Sequence, residues 1–308
     1  MNLEDLLIQA QDPKENLKVK ENQTTQKTQS SVKQTKQQIR KIGNVDSELT
    51  DELFLKILEK VYKQNQENSM QYNKTYLSPT DLCQSCPRKI FFRMTNANYE
   101  LQLFYPFSEL ITHVGNAVHS WVQKHLAKVF KDVQSEIKFE LPDLKLKGFI
   151  DLVYKTNQDK TIILEIKTIG DEIHDPNFYG KIPHWKQLAC YYWIWTEKLG
   201  KKCDKVQLMY LKRDFKPIKL ANGNKDLPFK IFTVDEPQKL WNTYKDHIMW
   251  MYETIIKALQ TQTVPTIPNH IREIVKKEEC GFCPYQKECS KYPFTTEKQI
   301  TQSIEFLF

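Results

Sequence analysis

No apolar stretch in the 308 residues approaches the length of a membrane span, and the N-terminus has no apolar core of the signal-peptide kind. Acids near the start, Glu4 and Asp5, also argue against a transit peptide. The expected compartment is therefore a reducing one: the cytoplasm, or a host's cytoplasm if the source is viral. There is no GxxxxGK[ST] phosphate loop, so the chain has no means of unwinding a duplex by ATP hydrolysis on its own. Acids are missing altogether from Asn22 to Val45, a stretch that nevertheless carries Lys27, Lys33, Lys36, Arg40 and Lys41. Large apolar residues are few over residues 1–45 as well. The first 46 residues are expected to form a disordered basic tail. Glycine numbers only 8, and with high Lys, Asn, Gln and Ile this composition suits an AT-rich genome.

The rest of the composition is that of a folded protein. Hydrophobic residues make up 40% and aromatic residues 12%, enough for a sizeable core. A net charge of +7 favours an anionic partner. Seven cysteines in a reducing compartment point to metal or cluster binding rather than disulfides.

The stretch 146–168 organises the chain. Two apolar, β-branched runs flank the polar break Thr156–Lys160, which predicts a β-hairpin. Each run carries an acid where a core strand should have none: Asp151 in the first, Glu165 in the second. Strand side chains alternate, so Ile162, Leu164 and Ile166 share one face while Ile163, Glu165 and Lys167 share the other. Glu165 and Lys167 therefore project together, with Asp151 beside them once the hairpin forms. Buried charges are costly unless they pair or bind a metal. Two carboxylates next to an ammonium suggest a divalent-cation site with a positioned lysine.

Around this hairpin the pattern predicts a helix over 48–66, with Leu49, Leu53, Phe54, Ile57, Leu58 and Val61 at helical spacing. Ser78-Pro79-Thr80-Asp81 reads as a helix start, with Pro87 disturbing or ending that segment. An amphipathic helix is expected over 115–130, its stripe being Val118, Trp121, Val122, Leu126 and Val129. His119 sits beside that stripe. A strand is expected at 133–140, a loop from Ile169 to Pro183, and an aromatic-rich helix at 184–199. His184, Gln187 and Tyr191 share one face of that helix, and Gln and His are odd choices for a core. Strands at 206–212 and 229–234 and a long helix near 236–260 complete the pattern. Near the C-terminus, Cys280, Cys283 and Cys289 lie within ten residues. Three such ligands need a fourth. Cys83, Cys86, Cys280 and Cys283 would form a zinc site; Cys86, Cys280, Cys283 and Cys289 would form an iron–sulfur site, and spacing does not choose between them. Cys190 and Cys203 are isolated and read as structural.

Cys86-Pro87-Arg88-Lys89, His119, Asp151, Glu165-Ile166-Lys167 and Gln187-x-x-x-Tyr191, followed by CxxC and a last cysteine, resemble a RecB-type nuclease of the PD-(D/E)xK superfamily. The nearest branch is the iron–sulfur subgroup, which includes the CRISPR-associated RecB-like exonucleases and the AddB nuclease domain. The likeness covers roughly residues 76–290, in order. It implies an α/β, restriction-endonuclease-like fold: a central mixed β-sheet flanked by helices, with N- and C-terminal segments joined at a four-cysteine cluster. The domains would be the tail at 1–46, the nuclease domain at 47–295 and a C-terminal tail at 296–308. His119, Asp151 and Glu165 would ligate Mg²⁺ or Mn²⁺ with the Ile166 carbonyl, and Lys167 would orient or activate the attacking water. The histidine ligand tips the choice toward Mn²⁺. Gln187 and Tyr191 would support the site and contact the DNA backbone, as would Arg88 and Lys89. Cys86, Cys280, Cys283 and Cys289 would hold a [4Fe–4S] cluster. Cys83 departs from the family pattern and keeps structural zinc open.

The implied activity is a metal-dependent deoxyribonuclease, an exonuclease on single-stranded ends in recombination, repair or CRISPR adaptation. Its partners would be DNA with free ends and a helicase or recombination protein, with no membrane. Two other readings compete at this point: a nucleic-acid-binding module of a recombination or spacer-acquisition complex with little activity of its own, and a zinc-stabilised α/β domain of unrelated function.

Overall fold

The computed structural model describes residues 56–57, 59–65, 75–100, 106–175, 177–214, 218–219 and 225–292, all within one compact unit, Leu55–Phe308. The expected basic tail and C-terminal tail lie outside the described residues, as do Leu49, Leu53, Phe54 and Leu58 of the first expected helix. Residues 56–57 and 59–65 of that helix are helical.

The segment after it enters the fold by pairing Leu77 with Leu146. The Leu77 amide donates to the Lys145 carbonyl at 2.7 Å, and the Lys147 amide donates to the Leu77 carbonyl at 2.9 Å. Helix α1 (Pro79–Leu82) then starts on a full capping box. Asp81 Oδ2 accepts the Ser78 amide at 2.8 Å, Ser78 Oγ accepts the Asp81 amide, and Pro79 fills a position that needs no N–H. The helix stops after one turn. Pro87 does not end it but opens the next one, α2 (Pro87–Met94), so residues 83–86 become a loop and Cys83 and Cys86 stand at its two ends.

Helix α3 (Pro106–Leu126) begins before and ends before the expected 115–130. Val118 and Val122, one turn apart, are its core stripe; Trp121 is 60% exposed and Val129, beyond the helix end, is 73% exposed. Strands β1 (Lys131–Leu141), β2 (Leu146–Lys155) and β3 (Thr161–Ile169) form an antiparallel meander. Helix α4 (Ile182–Trp193), prolonged by a wider π-helical turn at Ile194–Lys198, carries the chain across to β4 (Lys205–Lys212), which lies parallel to β3. Strand β5 (Phe229–Val234) pairs antiparallel with β4 and closes a mixed five-stranded sheet of order β1-β2-β3-β4-β5. Helix α5 (Pro237–Thr261) follows, and α6 (Asn269–Glu278), which the sequence pattern did not suggest, leads into the cysteine segment.

Helices cover both faces of the sheet, as a mixed sheet with apolar residues on both sides requires. On one face Leu152, Tyr154, Ile162, Leu164 and Ile166 pack against Val118 and Val122 of α3. On the other, Val153 and Ile163 join a larger core with Leu188, Ala189 and Tyr191 of α4 and Trp241, Ile248, Met251 and Ile255 of α5. The alternation expected of β3 is thus the partition between the two cores. Gly148 marks a close approach. A Cβ there would lie 2.9 Å from Pro79 Cδ and 3.1 Å from Phe139 Cζ, so only glycine lets α1 sit against the hairpin.

Candidate active site

Strands β2 and β3 and helix α3 bring their side chains together where the pairing of β2 with β3 stops. Glu165 is fully buried and ion-paired to the Lys167 ammonium two residues on, both on the face turned toward α4. From β2, Asp151 Oδ2 accepts the Ile166 amide at 3.1 Å, which aims the Asp151 carboxylate at the same strand end. From α3, His119 Nδ1 stands 3.7 Å from Asp151 Oδ2. The four residues expected to share a site are neighbours. Among the described residues no three His, Cys, Asp or Glu side chains already form a metal cage.

Sequence reasoning missed the group that fixes this arrangement from outside. Gln123, one turn after His119 on α3, donates to the Asp151 carbonyl at 3.1 Å and to Glu136 Oε1 at 2.8 Å. A glutamine next to the apolar stripe and four residues from a candidate ligand was the available signal.

Helix α4 supplies the opposite wall. Gln187 donates to the Tyr191 hydroxyl at 2.7 Å, both residues buried. His184, one turn earlier, hydrogen-bonds the Tyr210 hydroxyl of β4 through Nδ1 at 2.7 Å. Between α4 and the α1–α2 loop lies a cleft of about 420 Å³. Lys167, His184 and Gln187 line one side, Cys83, Gln84, Ser85 and Lys89 the other. Glu279 closes one end, where its Oε1 accepts the Ser85 amide at 2.5 Å.

The electrostatics follow from burial. Burial, then the neighbouring Asp151, pushes the Glu165 carboxyl well above its ordinary range, and Lys167 opposes this only in part. Burial works against the Lys167 ammonium too, but Glu165 and Asp151 outweigh it and hold the lysine charged. Burial lowers His119, and Lys167 adds to that effect while Asp151 resists it. Burial likewise raises the Tyr191 phenol, helped by the two carboxylates. Both Glu165 oxygens are buried without a well-formed hydrogen bond, a costly state for a carboxylate that has only one lysine for company.

A second pocket lies behind Lys89. Cys86, Cys280, Cys283 and Cys289 all line it, drawing one end of the domain to the other. Cys83 does not; it faces the cleft that holds Lys167. Arg88 has a different occupation from the DNA contact expected of it. Its guanidinium is 3% exposed and donates to the Pro265 carbonyl at 2.8 Å, the Tyr292 carbonyl at 2.6 Å and Cys289 Sγ at 3.6 Å. Lys89 lines both pockets. Cys190 is core, and Cys203 donates to the Lys205 carbonyl.

Residues 107–290 match the family model of the PD-(D/E)XK nuclease superfamily. The chain belongs to this superfamily. The matched span runs from the start of α3 to Cys289 and so includes His119, Asp151, Glu165, Lys167, Gln187 and Tyr191; Cys86 lies before it. The superfamily is one of nucleases, and its mixed sheet flanked by helices is the architecture seen here. PD-(D/E)XK nucleases usually work with Mg²⁺ or Mn²⁺. Among solved structures 23 chains match. One of them, titled "Crystal structure of SSO0001", is 18% identical, with 77% of this chain and 96% of that chain covered and a TM-score of 0.39. No curated protein matches. No helix among the described residues is long and apolar enough to cross a membrane.

Proposed function

We propose that the chain is a divalent-metal-dependent deoxyribonuclease of the RecB-like iron–sulfur branch, removing nucleotides from single-stranded ends. One observation carries this reading: Asp151, Glu165 and Lys167 meet where the pairing of β2 with β3 stops, with the Glu165 carboxylate fully buried and Lys167 as its charge partner. That state is unfavourable for an empty carboxylate and well suited to a cation. The donor set, one imidazole, two carboxylates and the Ile166 carbonyl, fits Mn²⁺ or Mg²⁺. Bound there, such an ion would supply Lewis-acid polarisation of a phosphoryl oxygen and a more acidic water. The remaining steps belong to the chain's own residues. Lys167 holds a positive charge beside the scissile phosphate and orients the attacking water. Gln187 faces the strand's backbone from the cleft wall, and Tyr191, buried and outside the cleft lining, holds Gln187 from behind instead of touching DNA itself. Lys89, which lines both pockets, meets a phosphate of the strand in this reading.

Cys86, Cys280, Cys283 and Cys289 are assigned to a [4Fe–4S] cluster. Their common pocket supports that set over the zinc alternative with Cys83, whose side chain faces elsewhere. The domain would run over residues 47–295, with the basic segment 1–46 adding salt-sensitive affinity for DNA.

The test is anaerobic purification followed by incubation of end-labelled single-stranded DNA with Mn²⁺. Wild type should shorten the strand from one end. Asp151→Ala and Lys167→Ala should abolish cleavage while leaving folding and the iron content of about four per chain unchanged. Retained cleavage in either variant sinks the assignment. A wild-type protein that binds the strand but never cuts it would make the chain a binding module instead.

A further inference from the structure

His184 is a titratable cleft residue of α4 that the mechanism above does not use. It lines the cleft with Lys167 and Gln187. Its Nδ1 is committed to the Tyr210 hydroxyl at 2.7 Å, and the same hydroxyl oxygen accepts the Lys181 amide at 2.9 Å. The direction of that chain decides the tautomer. Tyr210 is fully buried, and its oxygen already accepts a hydrogen bond, so its single hydrogen needs an acceptor. His184 Nδ1 is the acceptor within reach. An accepting Nδ1 carries no proton, so the proton of the neutral ring sits on Nε2, the nitrogen left for the cleft. The segment before α4 is held tightly. Gly180 adopts φ +89°, a Cβ there would lie 2.8 Å from Trp185 Nε1, and that indole donates to the Tyr179 carbonyl at 2.8 Å. The ring is therefore pinned at both its orientation and its tautomer.

We propose that His184 is a substrate-binding residue: its Nε2–H donates to a phosphate oxygen of the DNA strand held in the cleft beside Lys167. This rests on the nuclease reading of the same cleft and adds a neutral donor beside Lys167. The ring works as a neutral donor across the physiological range. Burial, with Lys167 of β3 and Lys181 ahead of α4 adding to it, lowers its pKa to about 4. The third group facing the ring, the Tyr210 phenol of β4, is itself raised to about 12 by burial and stays uncharged. A neutral donor suits a place where Lys167 already supplies the charge.

The experiment separates the two ring nitrogens. A glutamine amide can reach the position of Nε2, whereas an asparagine amide reaches only that of Nδ1. The full-length protein would be titrated into fluorescein-labelled single-stranded DNA without metal, and cleavage with Mn²⁺ followed in parallel. His184→Gln is expected to stay within about three-fold of wild-type Kd and KM. His184→Ala and His184→Asn should weaken both about ten-fold or more, the scale of a hydrogen bond to a charged group, with kcat much less affected. Tyr210→Phe keeps the core volume but releases the tautomer, and should fall between. Affinity should be flat from pH 5.5 to 7.5. Equal behaviour of the Gln and Asn variants, or no loss in His184→Ala, overturns the proposal. So does an affinity that rises below pH 6.5 in wild type but not in His184→Gln, since the ring would then act as a cation. Because binding is read without metal, a protein that never cuts would refute the nuclease reading and still leave the His184 series decisive.

Discussion

Replacing Arg88 with methionine should separate a structural arginine from a DNA-binding one. The side chain is 3% exposed, and its hydrogen bonds reach across 177 residues to Pro265 and 204 residues to Tyr292. Hydrogen bonds from a charged donor contribute about 1.5–3 kcal/mol each, so the two carbonyl bonds together stabilise the fold by about 3–6 kcal/mol. Removing a buried guanidinium also removes its desolvation cost, which returns part of that sum. Methionine keeps most of the apolar stem in place. The net loss is expected at about 2–4 kcal/mol, which for a domain of this size lowers Tm by about 4–15 °C. Thermal and urea unfolding of Arg88→Met against wild type, both loaded with the same metal complement, measure it. Single-stranded DNA affinity measured well below the transition should stay within about two-fold of wild type. A variant with unchanged stability and sharply weaker DNA binding would refute the argument and return Arg88 to the nucleic-acid surface.

Gly148→Ala places a methyl group against Pro79 and Phe139 and should cost about 1–3 kcal/mol in urea unfolding, as overpacking does; a neutral substitution would mean α1 can shift away from the hairpin freely. Cys86→Ser should lose bound iron, while Cys83→Ser should keep it, as read by absorbance and metal analysis. Bound zinc that disappears in Cys83→Ser would reverse that assignment. His247 donates through Nε2 to the Gln84 carbonyl at 2.9 Å, and burial, with Lys186, lowers its pKa to about 4. Its folded pKa lies below the unfolded value of about 6.5, so the unfolded chain takes up the proton first and stability falls as pH drops from about 6.5 toward 4. The urea midpoint should decline across that window, and less so in His247→Gln; an equal decline in both would remove the attribution.

The legible parts of this protein were those that follow from local alternation. The hairpin, the split of β3 into an apolar face and a Glu165–Lys167 face, and the aromatic helix after the crossover each follow from side-chain period. Pro87 was legible as a breaker but not as the start of α2, because proline disfavours a helix interior and favours a first turn at once. Trp121 and Val129 fitted a helical stripe and are exposed, because α3 presents only Val118 and Val122 squarely to the sheet and ends at Leu126. What the sequence could not convey was contact at long range. Gln123 under Asp151, Tyr210 behind His184 and Arg88 against Tyr292 join residues 28, 26 and 204 positions apart. No window of periodicity spans such distances. The cysteines show the same limit: the spacing admitted two sets, and the second pocket contains only one of them.

That last geometry has a consequence for how the protein is made. The loop of residues 83–86 walls the cleft, yet what holds it leaves the ribosome long after it: Glu279 to the Ser85 amide, then Cys280 to Cys289, then the Tyr292 carbonyl to Arg88. The meander and the crossover can form as they emerge, since their contacts are near neighbours in sequence. The cleft wall must wait until some two hundred further residues have been added. During synthesis the carboxylates and lysine of the sheet are therefore in place before the surface that would close a DNA strand against them. The chain acquires its chemistry first and its grip on substrate some two hundred residues later.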